Sequence, residues 1–138
     1  MTNWTIEKQL DFTAGIDAVW RAITDPAELS CWFGDSAEFE PVVGAEGALI
    51  WKDHGSFALR VEVAEPPNRL VWSWVHEPNV ALEAAPTTRV EWTLTALPGG
   101  GTRLVLRETG FLAAEHHGQN DGGWDEELGE LVELLGRR

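Results

Sequence analysis

The stretch FALRVEVAEPPNRLVWSWVH, residues 57–76, decides the fold. Phe57, Leu59, Val61 and Val63 alternate with Ala58, Arg60, Glu62 and Ala64, the period-two pattern of a half-buried strand. Pro66-Pro67-Asn68 then forces a turn. After it, Leu70, Trp72, Trp74 and His76 share one face of a second strand.

Working downstream, a polar-to-small loop at residues 77–86 leads to a strand in which Val90, Trp92 and Leu94 alternate with Arg89, Glu91 and Thr93. Pro98-Gly99-Gly100-Gly101 joins it to residues 102–111 as a hairpin. Upstream, residues 37–40 and 48–52 read as further short strands, with a turn at Asp53-His54-Gly55. Nothing of helical period interrupts this run. The sheet is therefore antiparallel, with helices segregated to one face.

The flanks supply those helices. Residues 4–12 alternate as a strand, and Thr13 offers an N-cap to a short helix carrying Ile16, Val19, Trp20 and Ile23. Asp25-Pro26 stops that helix and opens a second, which carries Leu29, Trp32 and Phe33 and ends at Gly34. Residues 112–123 read as a loop containing His116 and His117, and a final helix begins near Asp121. Trp124, Leu128, Leu131 and Leu135 fall on one face of it. Asp125 and its glutamate neighbours suit the positive end of the helix dipole, and Gly136-Arg137-Arg138 the other end. This long helix needs an apolar surface to cover, and the concave face of the sheet is the only large one. Residues 1–138 thus form one α+β domain.

Composition narrows the function. Acidic residues outnumber basic ones 23 to 10, a net charge of -13 that repels nucleic-acid phosphates and anionic membranes. No stretch is long and apolar enough to span a bilayer, and the N-terminus lacks an apolar signal core, so a cytoplasmic location is expected. Cys31, the single cysteine, cannot make an internal disulfide and reads as a buried structural thiol. Eight Trp and five Phe with no Tyr suggest either a bulky core or a cavity wall.

Several stretches carry a family resemblance. They are Val19-Trp20-Arg21-Ala22-Ile23-Thr24-Asp25-Pro26, Trp32-Phe33, Pro66-Pro67-Asn68-Arg69-Leu70-Val71-Trp72-Ser73-Trp74, Gly100-Gly101-Thr102-Arg103-Leu104, and Gly122-Gly123-Trp124 ahead of Leu128. In this order the chain resembles the SRPBCC (START-like, helix-grip) superfamily. The nearest branch is the one related to the C-terminal domain of the heat-shock-protein ATPase activator. The resemblance implies a curved antiparallel sheet wrapped around a long C-terminal helix, two short helices after the first strand, and a deep cavity between sheet and helix. Members of the superfamily bind lipids, polyketides, hormones or other apolar molecules, and some are cyclases or hydrolases. Only the domain type is shared with the activator, so chaperone activity does not follow.

If the sheet curls around the helix, one parity of each strand lines the cavity. The expected ligand-binding set is Phe57, Leu59, Val61, Leu70, Trp72, Trp74, Trp92, Leu104 and Leu106, closed by Trp124 and Leu128. His76 and Glu108 share the inward parity near strand ends. The expected placement for both is a wet rim, where they orient a ligand. Placed inward instead, a desolvated Glu beside a His would form an acid/base pair suited to a cyclase or lyase. His116 and His117 are sequence neighbours whose side chains diverge, and His54 sits in a tight turn facing solvent, so no metal site and no cofactor are expected.

Three functions compete. The leading one is intracellular binding of a small apolar molecule, aromatic or acyl, without turnover. The second is an enzyme using His76 and Glu108 as acid and base. The third is a co-chaperone-like or stress-response interaction domain with a protein partner. A homodimer is compatible with all three.

Overall fold

The computed structural model describes residues 4–136. Seven strands form one antiparallel sheet in the order β1-β7-β6-β5-β4-β3-β2. They are β1 (Ile6–Phe12), β2 (Ser36–Glu38), β3 (Glu46–Trp51), β4 (Gly55–Glu65), β5 (Arg69–Val75), β6 (Thr87–Ala96) and β7 (Thr102–Thr109). Because β1 and β2 lie on opposite edges, the segment between them must cross the sheet. It does so through α1 (Ile16–Thr24) and α2 (Pro26–Leu29). The curved sheet and the long C-terminal helix α3 (Ala114–Gly136) make an α+β helix-grip architecture.

Local sequence explains the small helices. Asp25 caps α2 by accepting the Ala27 N–H at 3.0 Å, and Pro26 occupies the first turn. The cap of α1 is Gly15 rather than Thr13, and it makes no side-chain bond. Helix α2 stops at Leu29, so Trp32 and Phe33 ride on the following turn. Gly34 closes that turn at φ +72, where an added Cβ would come within 2.9 Å of the Ile50 carbonyl. Cys31 is exposed rather than buried: it sits on the outer side of the turn while Leu29 and Trp32 point inward.

The central hairpin matches its alternation up to one break. Leu59 pairs with Trp74 and Val61 with Trp72, but a bulge then sets Val63 opposite Val71 and Ala64 opposite Leu70. Ala64, not Val63, returns to the face of Leu70. The 77–86 loop holds a single 3₁₀ turn, Leu82–Ala84. Strand β7 ends at Thr109, leaving Phe111 in the connection to α3.

The largest departure from the sequence reading is α3. It has 23 residues and takes in positions 114–123, including His116 and His117. Its first-turn acid is Glu115, so Asp125 and Glu126 stand mid-helix instead of at the positive end of the dipole. Arg137 and Arg138 lie outside the described residues.

The C-terminal half of α3 buries Trp124, Leu128, Leu131, Leu134 and Leu135 in one core with the inner face of the sheet. Lys8 of β1 reaches Asp121 and Asp125 at 2.8 and 2.9 Å and ties the helix to the sheet edge. Trp72 and Trp92 are fully buried, and their indole N–H groups have no hydrogen-bond partner. No helix among the described residues is long and apolar enough to cross a membrane.

Candidate ligand site

The grip is filled unevenly. Trp32 and Phe33 enter the hollow from the turn after α2. Trp32 Nε1 donates to the Ala22 carbonyl at 2.8 Å, which fixes the indole. The Phe33 ring stacks on Trp124 with centroids 5.1 Å apart and planes 11° from parallel. It also meets Trp51 at 5.2 Å and Trp74 at 5.9 Å. These rings plug the middle of the hollow.

Toward the N-terminal half of α3, a cavity of about 500 Å³ remains. Its apolar wall is Phe33, Trp51, Phe57, Trp74 and Trp124, with Val75 and Gly123. His76, His116, Gln119 and Asn120 bring polar groups, and Glu126 and Glu127 stand beside them. His54, His116, Gln119 and Glu126 are exposed and mark the mouth. A smaller pocket of about 130 Å³ adjoins it, and His76 and His116 line both. These two rings stack with centroids 6.2 Å apart.

Behind the inner wall lies a buried polar network centred on Glu108, which is fully buried. One carboxylate oxygen accepts from Trp124 Nε1 at 2.8 Å. The other accepts from Trp74 Nε1 at 2.8 Å and from the Thr88 hydroxyl at 2.5 Å. Asn120 Nδ2 donates to the carboxylate at 3.2 and 3.3 Å. Every partner donates, so both carboxylate oxygens serve as acceptors in the network.

The network also sets the state of His76. Since the Thr88 hydroxyl donates to Glu108, its oxygen accepts from His76 Nε2 at 2.5 Å. His76 Nδ1 is then the acceptor, facing Asn120 Nδ2 at 3.4 Å. Burial pushes the His76 pKa below its ordinary value; Glu108 pulls it up, and His116 adds to the lowering. The imidazole is therefore neutral near pH 7. At the mouth, burial raises the Glu127 pKa, while a hydrogen bond from Trp51 Nε1 at 3.4 Å opposes the rise.

The structure divides the expected ligand set. Phe57, Trp74, His76 and Trp124 reach the cavity wall. Leu59, Val61, Leu70, Trp72, Trp92, Leu104, Leu106 and Leu128 belong to the packed core, where Trp32 and Phe33 occupy the volume a deeper cavity would need. Glu108 is not at a wet rim. It lies one layer behind the wall, drawn inward by two indole N–H groups that would otherwise be buried unpaired.

Sequence reasoning missed Phe33, Trp51, Thr88, His116, Asn120 and Glu127. Two signals pointed to some of them. Thr88 shares the parity of Val90 and Trp92. His116 and Asn120 extend the Trp124–Leu128 stripe backward by steps of four. Among the described residues, no group of three or more His, Cys, Asp or Glu is arranged to hold a metal ion.

An antiparallel sheet gripping a C-terminal helix, with a cavity at one end of the grip, defines a START-like domain of SRPBCC type. More narrowly, the chain belongs to the family described as Activator of Hsp90 ATPase homolog 1-like protein, whose model matches residues 13–136. No curated protein sequence matches it.

Among solved structures, protein MLL2253 from Mesorhizobium loti is 25% identical with a TM-score of 0.85, over 96% of this chain and 97% of that one. DynU16, from the dynemicin biosynthetic locus, is 26% identical with a TM-score of 0.84 over 98% of this chain. That match spans 48% of DynU16, so the present chain corresponds to about half of it. The Aha1 dimer from Colwellia psychrerythraea shares the fold at 18% identity and a TM-score of 0.80, over 98% of this chain and 96% of that one.

Proposed function

We propose that this chain acts as a single domain that binds a small apolar molecule with a flat, ring-containing body in the cavity beside α3. Phe57, Trp74, His76 and Trp124 are its contacts, together with Phe33 and Trp51. The supporting observation is the cavity itself. Its volume of about 500 Å³ lies within the range of small-molecule sites, and its wall is aromatic with a few convergent polar groups at one end.

The test is a titration with nitrobenzene and 4-nitrotoluene, flat ring compounds that do not fluoresce and that quench indoles, followed by tryptophan emission. It is repeated on Gly123→Leu, because Gly123 faces the cavity and a Cβ there meets nothing within 4 Å. The added side chain starts from a Cβ with open space around it, projects into the cavity, and improves helix propensity. Saturable quenching is expected in the native chain, with at least about tenfold weaker binding in Gly123→Leu. Quenching that does not saturate, or that survives the substitution, sinks the reading.

A second reading makes His76 a proton acceptor toward a bound carbonyl compound. It draws on the orientation of the imidazole, whose Nε2–H is engaged by Thr88 so that Nδ1 is the basic atom. Glu108 would then be a positioning residue acting through Thr88. Proton exchange at the α-carbon of a bound ketone, followed by NMR at saturating ketone, should disappear in His76→Gln. Exchange that persists in the variant removes this reading.

A further inference from the structure

We propose that the cavity selects an organic cation, an apolar body ending in an ammonium group, over neutral and anionic molecules of the same shape. This rests on the ligand-site reading above and adds the charge of the ligand.

Three observations carry it. First, no Lys or Arg lines the cavity among the described residues, whereas Glu126 and Glu127 both do. A carboxylate or phosphate entering there would lose its hydration and find no counter-charge.

Second, the donors of the wall are already engaged. The indole N–H groups of Trp74 and Trp124 point at Glu108, and that of Trp51 points at Glu127. The Asn120 amide N–H₂ serves Glu108 and His76. What remains on the lining is acceptors, the carboxylates of Glu126 and Glu127. The remaining donors sit at the exposed mouth on His54, His116 and Gln119.

Third, three of the wall rings are indoles, the aromatic groups that attract a cation most strongly, and enclosure strengthens that attraction. Burial also holds the Glu127 pKa above its usual value. A carboxylate penalised by desolvation gains from an arriving cation. The net charge of -13 concentrates cations around the whole molecule, which speeds capture without specifying the site.

The experiment is titration calorimetry at pH 7.5 with three molecules of one shape: 4-phenylbutylamine, 4-phenylbutanol and 4-phenylbutyrate. The amine should bind about tenfold more tightly than the alcohol, and the butyrate should give no saturable heat. Glu127→Gln keeps the acceptor for Trp51 and should reduce the amine-to-alcohol ratio severalfold. Glu133→Gln removes the same charge from an exposed position on α3 outside the cavity, and should leave the ratio unchanged.

Alcohol binding as tight as amine binding, or comparable binding of butyrate, overturns the inference while the ligand-site reading stands. An equal loss of preference in both variants overturns it too, since long-range charge alone would then explain the ratio. No saturable heat from any of the three removes the ligand-site reading along with it.

Discussion

Glu108 shows how one buried carboxylate can organise an aromatic wall. Two indoles, a hydroxyl and an amide all donate to it, and together they fix the orientation of Trp74 and Trp124. Glu108→Gln keeps the shape but turns an N–H₂ toward groups that are themselves donors. We expect it to cost about 1–3 kcal/mol in urea-induced unfolding, the scale of buried donors left unpaired.

His76 gives the network a pH dependence with a definite sign. Its folded pKa lies below the ordinary 6.5 because burial disfavours the charged ring. Above that value both folded and unfolded chains carry a neutral imidazole and no effect arises. As pH falls below it, the unfolded chain takes up a proton before the folded chain does, so stability drops. The loss ends once the folded ring also protonates. Relative to His76→Gln, the native chain should therefore lose unfolding free energy between pH 7.5 and pH 5.5. Paired urea titrations at the two pH values measure this difference, and an unchanged difference would count against the neutral buried ring.

At the scale of elements, α3 is two helices in one. Its C-terminal half carries the leucine stripe and was legible from spacing. Its N-terminal half has Gly118, Gly122 and Gly123 and two histidines, and it faces a cavity rather than a core. A helix that covers empty volume needs no apolar stripe, so hydrophobic periodicity is silent where the candidate site lies. The same logic explains the bulge in β4, since nothing in the alternation of 57–64 marks the extra residue. Glycine inside α3 is costly where it is exposed and touches nothing. Gly129→Ala, with open space around the added Cβ, should raise stability by about 0.5–1 kcal/mol, read as a higher thermal midpoint with ligand affinity unchanged.

For the molecule as a whole, the order of elements and the inward parity of β5, β6 and β7 could be read from the sequence, because strand alternation and turn residues are local signals. Where the hollow closes and where it stays open could not. That depends on Trp32 and Phe33, two residues from a turn, folding back over a sheet whose strands lie far away in sequence. Their packing decides which inward residues become solid core and which become wall.

The same packing has an optical consequence. Trp72 and Trp92 lie 5.7 Å apart, Trp92 and Trp124 5.5 Å, and Trp74 and Trp124 6.0 Å. Chromophores this close hand excitation to one another before they emit. The unbonded indoles of Trp72 and Trp92, deep in the fold, are therefore coupled through Trp124 to the rings at the cavity. The array is an antenna: emission should be strongly depolarised even in a rigid glass, and one quencher seated beside α3 should darken more tryptophans than it touches.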